Sequence, residues 1–542
     1  MRLPMPRLSG FQLHVSQLTL ATVVSQAVLF GGSLVLARLF DPTEFGAFSV
    51  AFALATAVAI LATGRYDAAI PLPGKEAEAS RLAWLAIALA ALVSVVFFLI
   101  VLGERASGGP LGDWFGAGSA IWLVPVTVFA LALWSVLRGL QSRAGNFHAI
   151  GRSSITSAIV QTLGQIAGGL VSWGALGLMA GFTLGRISNA ASLAPRSGLG
   201  RPVGIRQLAT TARDWRRFPA LVMTPAFLTN VSVAAIAPLV SALYGVTFAG
   251  LFSFATRILA VPSALIGQAV ALVFFPKAAS MERAGTSMRD PIERAAMGLT
   301  VISVPVFGLT LLAGPEIFAL VFGERWREAG VIAAVLSPWL ALNFISSPLS
   351  SFATVKDKLG RLFATSVVET TSRIAAMCLG VVTGSSMSAV VAYSIVGCAI
   401  SIYFVAWVLR LCGSSIWSWL ARHKWYFLGF GAAYAVVLAI DAAGSPVATL
   451  AATLTVTAAG GVYALWWMRS SMRGRTAAAP PDSLQVGDLP EEAMLEADST
   501  PHIDDSALEP PAESLPGVGR PQGPEAATRS RAEDHDDPRS QP

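Results

Sequence analysis

Residues 16–64 read SQLTLATVVSQAVLFGGSLVLARLFDPTEFGAFSVAFALATAVAILATG. Two apolar runs, 16–39 and 46–64, are separated only by a short polar turn that holds Asp41, Pro42 and Glu44. A bilayer core takes roughly 20 apolar helical residues to cross. Each run is long enough, so the turn sends the chain back to the side it left. The first run is too long for a signal-peptide core and has no small-residue cleavage site. Similar runs follow it, so it is expected to be retained as a span.

Outward from this hairpin the same pattern repeats almost to the end of the 542 residues. About fourteen spans satisfy the length criterion, at 16–39, 46–64, 82–103, 119–138, 154–173, 174–193, 218–243, 249–275, 296–314, 330–353, 362–382, 387–409, 425–442 and 446–468. Charged residues make up 13% of the chain, against about 25% in soluble domains, and the mean hydropathy is +0.63. The net charge of +6 is no nucleic-acid signature, because its placement follows the spans. With the N-terminus inside, Arg65, Lys75, Arg81, Arg143, Lys356 and Arg422 all fall on inner segments, as do most other basic residues. Outside lie only Arg105, Arg325, Arg327 and, at a span edge, Arg38. Lys and Arg resist translocation, so both termini are expected to be cytoplasmic. The segment after Arg475 is rich in Pro, Ala, Asp, Glu and Ser, and a disordered cytoplasmic tail is expected over 471–542.

The turn of the first hairpin recurs. Phe40–Ala51 (FDPTEFGAFSVA) lies over Tyr244–Ala255 (YGVTFAGLFSFA) without a gap, matching Thr43, Gly46, Phe48, Ser49 and Ala51 to Thr247, Gly250, Phe252, Ser253 and Ala255. The first copy joins spans one and two, the second spans seven and eight, so the repeat unit is six spans in parallel orientation. The expected fold class is an all-α integral membrane protein of about 14 transmembrane helices. Two six-helix lobes, 1–200 and 201–412, surround a central cavity, and 413–470 supplies two extra helices. Gly164 and Gly168 on span five, and Gly177, Gly181 and Gly185 on span six, form small-residue stripes suited to close helix packing within the first lobe.

An ionisable side chain at the bilayer centre costs about 2.5–3.5 kcal/mol on insertion scales, so it usually faces a cavity or a partner. Arg257 sits well inside span eight with no acidic residue nearby in sequence. Two roles fit it: holding an anionic group such as a diphosphate with its planar fork, or bonding backbone carbonyls freed near Pro262 or snorkelling outward. Arg373 follows Glu369 at i,i+4, the spacing of an intrahelical ion pair; Glu369 as a coupling carboxylate is the alternative. Arg186, near the inner end of its span, reaches the headgroups in the simplest reading. Arg65 and Asp67, at the inner end of span two, suit a cytoplasmic mouth, a headgroup phosphate or an ordinary interface. Gln26, Gln161, Gln165, Asn230, Gln268 and Asn343 are uncharged candidates for lining a pathway or for interhelical hydrogen bonds.

Enzyme classes find no support. There is no Walker A loop, and acidic doublets occur only in the tail, at Asp504–Asp505 and Asp536–Asp537. The histidines form no metal-ligand pattern, and Cys378, Cys398 and Cys412 have no redox or zinc spacing. No catalytic residue, metal or cofactor is expected.

Several strings together resemble the polysaccharide (O-antigen and exopolysaccharide) flippase family of the multidrug/oligosaccharidyl-lipid/polysaccharide exporter superfamily. They are Leu39–Gly46 (LFDPTEFG), Arg65–Pro73 (RYDAAIPLP), Asp214–Pro219 (DWRRFP), Gly250–Gln268, and Phe322–Gly330 (FGERWREAG). The resemblance covers roughly 10–470. It implies alternating access by two six-helix lobes in the inner membrane. The implied cargo is an oligosaccharide on undecaprenyl diphosphate, turned from the inner to the outer leaflet. A polysaccharide polymerase and export machinery are further implied partners. Cationic cavities are typical of the family, which places Arg257 first among the substrate-pathway candidates, with Arg65, Asp67, Gln268 and Asn230 behind it. The alternatives are a lipid II flippase, whose relatives have fourteen spans but whose strings are not matched here, and a multidrug or cation antiporter. A membrane-embedded polymerase or glycosyltransferase would need a catalytic loop that the sequence does not show.

Overall fold

The computed structural model describes residues 10–107, 116–216, 219, 234–283, 286–356, 358–443 and 446–476. Side chains at 10–16, 196, 264–280, 282–283, 351, 354, 355, 359, 446–447, 468 and 471–476 lie outside the description. Among the described residues every regular element is helical: α1 Gly10–Leu39, α2 Pro42–Ala62, the short α3 Tyr66–Ala69, α4 Glu76–Ala106, α5 Val124–Arg143, α6 Phe147–Leu170, α7 Gly174–Leu193 and α8 Ile205–Asp214. There follow α9 Ile236–Tyr244, α10 Val246–Arg283, α11 Arg289–Phe322, α12 Arg327–Val355, α13 Leu359–Thr383, α14 Ser386–Leu411, the short α15 Ile416–Arg422, α16 Lys424–Ala442 and α17 Pro446–Thr476.

Ten helices among the described residues are long and apolar enough to cross a bilayer. The expected spans at 154–173, 174–193 and 362–382 are also helices, α6, α7 and α13, but their own residues are too polar to qualify. For α6 and α7 the reason is packing. In α6 and α7 the polar groups face neighbours rather than lipid: Ser157 donates to Gly185 O at 2.8 Å, and Gln165 donates to Leu178 O at 3.0 Å. Of the expected span 218–243, only the part around α9 lies within the described residues. Large apolar side chains such as Leu92, Val95 and Leu99 on α4 are more than half exposed, the surface that hydrocarbon would cover and that a soluble protein avoids.

Local signals set the helix starts. Asp41 caps α2 in a reciprocal capping box: Glu44 N donates to Asp41 Oδ1 and Asp41 N to Glu44 Oε2, both at 2.9 Å, with Pro42 opening the first turn. Ser385 caps α14 one way only, its side chain accepting from Ser388 N.

The helices pack in two sets. In the first, α1 lies on α6, α6 on α7, and α5 on α2, α4 and α7. The expected glycine stripes form the α6–α7 seam. A Cβ on Gly168 would lie 2.6 Å from Gly177 Cα, and one on Gly164 2.9 Å from Gly181 Cα, so the two backbones touch. In the second set, α12 is central, packed on α10, α11 and α14, and α13 lies against α14. The extra pair rests on α11 through Tyr434, which donates to Val304 O at 2.6 Å, and Trp467, which lies against Gly298. Below it, buried Glu293 of α11 accepts from Arg289 (3.1 Å), Arg422 (2.5 Å) and Ser414 (2.5 Å), which ties α15 down.

The sets meet along α2 and α10, at the repeated string. Thr43 Oγ1 and Thr247 Oγ1 are 2.9 Å apart. A Cβ on Gly46 would collide with Val246 O, and one on Gly250 would collide with Pro42 O. Pro42, Thr43 and Gly46 are the counterparts of Val246, Thr247 and Gly250 in the alignment. The contact is therefore self-complementary, i on j and j on i, the mark of a local two-fold relation. Beside it, fully buried Trp326 donates from Nε1 to Ala37 O at 2.8 Å, and its ring meets Phe45 and Phe254 at centroid distances of 5.2 and 4.0 Å.

Candidate functional site

A cavity of about 600 Å³ lies between the two sets. The first set contributes α2 with Phe48, Phe52 and Thr56, α6 with Gln161, and α7 with Arg186. The second contributes Ser253, Thr256 and Arg257 of α10. Both charged residues in this lining are arginines; no Asp or Glu lines it among the described residues.

The two arginines are held differently. Arg186 lies over Phe182 at 4.8 Å and Trp134 at 5.4 Å, an aromatic shelf built by α7 and α5. Its Nε is buried without a hydrogen-bond partner. Cation–π contact fixes the direction of a guanidinium without neutralising it. Arg257 is largely enclosed and makes no ion pair or hydrogen bond among the described residues, either with the carbonyls near Pro262 or with a carboxylate. It also lines a cleft of about 220 Å³ with Gln26, Phe30 and Ser33 of α1. Two guanidiniums facing a low-dielectric space attract anionic groups, and each planar donor fork can hold two anion oxygens at once.

The other candidates are distributed elsewhere. Asp67 is buried on α3 and accepts from Thr63 Oγ1 at 2.8 Å and Ser135 Oγ at 2.5 Å, which pins the end of α2 to α5. Arg65 precedes it with φ 60°, left-handed for a residue with a Cβ, and Gly64 before it has φ 56°. Neither lines the cavity. Glu369 and Arg373 form the ion pair that their spacing predicts, at 2.6 Å, on α13. Gln161 faces the cavity, while Gln165 serves the α6–α7 seam. Asn230 and the side chain of Gln268 lie outside the described residues. Arg186, which the sequence reading placed within a span and near the headgroups, lines the cavity in the structure. Its aromatic neighbours Phe182, four residues back on the same helix, and Trp134 on another were the available signals.

Comparison with known proteins fits this architecture. The family model described as polysaccharide biosynthesis protein matches residues 35–331, more than half of the chain. The chain belongs to the polysaccharide biosynthesis protein family. This family member is 25% identical over 410 residues to the succinoglycan biosynthesis transport protein ExoT of Rhizobium meliloti (strain 1021), covering 72% of this chain and 78% of that protein. Its fold is similar to that of the lipid II flippase MurJ in an inward closed conformation, with TM-score 0.65 at 14% identity over 82% of this chain and 97% of that one. A transporter of the MOP superfamily from Pyrococcus furiosus matches with TM-score 0.52 at 14% identity, over 76% and 99% of the two chains. At these identities the structural likeness speaks for the fold: the polysaccharide biosynthesis family member is a multi-pass membrane protein with the all-α transporter fold of that superfamily.

Proposed function

We propose that this protein is a flippase, without enzymatic activity, that carries an undecaprenyl-diphosphate-linked oligosaccharide from the inner to the outer leaflet of the cytoplasmic membrane. The observation that carries the reading is the cavity between the helix sets, with Arg186 from one side, Arg257 from the other and no described carboxylate in its wall. A diphosphate headgroup is anionic and its sugars are polar. Hydrocarbon excludes both, while the lipid tail can stay in the bilayer.

In this reading residues 1–200 and 201–412 are the two rocking lobes and 413–470 an added pair of helices. Residues 471–542 form a cytoplasmic tail, and the N-terminus is cytoplasmic too. The local two-fold at Thr43 and Thr247 supports the division. A polysaccharide polymerase and an export machinery would act on the product. A drug or cation antiporter calls for acidic groups in the cavity, which the described lining lacks. The experiment is deletion of the gene in a strain without a redundant copy. The expected result is loss of one surface polysaccharide with undecaprenyl-linked glycan retained on the cytoplasmic side. Unchanged polysaccharide refutes the proposal.

A further inference from the structure

The connector that leaves α7 folds back on the start of α4. Gly200 N donates to Ser80 Oγ, and Trp84 Nε1 donates to Gly200 O, both at 3.0 Å. Further along, Trp215 Nε1 donates to Glu78 Oε1 at 3.0 Å, and Tyr66 Oη to Ala212 O at 3.5 Å. Between these ties runs α8, Ile205–Asp214. At 1.5 Å of rise per residue, Glu78 and Trp84 stand about 9 Å apart along α4. The apolar run of that helix begins between them, at residue 82. The ties therefore hold α8 at the depth where hydrocarbon gives way to headgroups.

The two faces of α8 meet different surroundings. Leu208, Thr211, Ala212 and Trp215, at i, i+3, i+4 and i+7, turn toward the protein. Thr211 is buried, and the other three pack on a cluster built by α3, α4 and α5. Opposite them, seven residues and so nearly two full turns apart, stand Arg206 and Arg213, both exposed. Arg201 and Arg216, just beyond the two helix ends, are exposed as well. None of these four arginines makes a side-chain ion pair or hydrogen bond among the described residues. Asp214, the one acidic residue between 199 and 216, lies about 100° round the helix from Arg213.

We propose that the outer face of α8 docks anionic phospholipid headgroups, with Arg206 and Arg213 at its centre and Arg201 and Arg216 at its rim. At headgroup depth the available anions are phosphodiesters, and a guanidinium fork takes two phosphate oxygens at once. The two central arginines are about 10 Å apart along the axis, too far for one phosphate, so each takes its own lipid. An acidic protein surface fits less well. A protein interface carries an apolar core inside its polar rim, and the one large apolar side chain that α8 exposes is Ile205. The site is separate from the cavity of Arg186 and Arg257, which lies between the helix sets. Its occupant holds the connector against the membrane rather than crossing it.

The test uses the purified full-length protein in detergent and follows its thermal unfolding midpoint as phosphatidylglycerol or phosphatidylcholine is added. A ligand that binds the native state raises the midpoint by mass action. Phosphatidylglycerol is expected to raise it saturably and more than phosphatidylcholine does, with the difference shrinking in about 0.5 M NaCl. Arg213→Gln is expected to move the half-effect concentration up about fivefold, the usual worth of one basic residue at an anionic surface. Arg206→Gln/Arg213→Gln/Arg216→Gln is expected to move it about a hundredfold. The same three positions changed to Lys keep the charge and are expected to keep most of the response. If the triple Gln variant does not fold, Arg213→Gln and the triple Lys variant decide. Equal midpoints with the two lipids overturn the proposal, and so does a phosphatidylglycerol response that the Gln variants leave unchanged. A response lost in Arg257→Ala also overturns it, by moving the lipid to the cavity. So does an equal rise with polyglutamate in place of lipid, by making the partner an acidic polypeptide.

Discussion

A guanidinium inside a bilayer protein has to be stabilised by something, and here two are left available. Among the described residues Arg257 has no partner, and Arg186 has only the faces of Phe182 and Trp134. A hydrogen bond to a charged group is worth about 1.5–3 kcal/mol, so Arg257→Ala is expected to lower transport by about ten- to a hundredfold at unchanged membrane abundance. Arg257→Lys is expected to recover part of the rate, because charge is kept and the planar fork is lost. The measurement is uptake of labelled lipid-linked sugar into proteoliposomes, normalised to inserted protein. Asp67 leads to the opposite expectation. It holds Thr63 and Ser135, so Asp67→Ala should cost about 1–3 kcal/mol of stability. It should reduce transport only in proportion to the protein that remains folded.

Helix seams here depend on missing side chains as much as on present ones. On α6 and α7 the backbones touch at Gly164, Gly168, Gly177 and Gly181. Gly168→Leu has no space to enter and is expected to destabilise by about 1–3 kcal/mol or to splay the pair, read as a lower unfolding midpoint. Gly431, on the exposed face of α16, has nothing within 4 Å of an added Cβ. Gly431→Ala is expected to be neutral or to stabilise by up to about 1 kcal/mol, the helix-propensity difference. The contrast separates contact from propensity, since both positions are helical glycines.

The whole molecule is joined most closely where the two copies of the repeat cross. Thr43 and Thr247 face each other at 2.9 Å, close enough for a disulfide between cysteines at these positions. Thr43→Cys/Thr247→Cys is expected to cross-link on oxidation, to stop transport if the sets must separate here, and to recover on reduction. Full transport by the cross-linked protein would show that the α2–α10 contact never opens. Trp326 adds a one-sided lock, since its ring and Nε1 reach across to Phe45 and Ala37. Trp326→Ala is expected to weaken the closed arrangement, measurable as faster labelling of a cysteine at position 43.

Much of this protein was legible in its residues, because the relevant physics is local. Apolar length marks a span, small residues three or four apart mark a seam, and i,i+4 spacing paired Glu369 with Arg373 without any structure. Where helices pack closely, as α6 and α7 do, hydropathy alone does not mark them as spans, since a neighbour can satisfy a serine or glutamine as well as water can. What the sequence by itself determined was the class of protein, the position of most helices and the repeated string at the two hairpin turns. Only the tertiary structure decided that Arg186 joins Arg257 in one cavity, that Asp67 is a staple, and that α8 lies back against α3 and α4. Those groups come from helices far apart in the chain, and which side chains converge is set by how the helices cross, a property that no single segment carries.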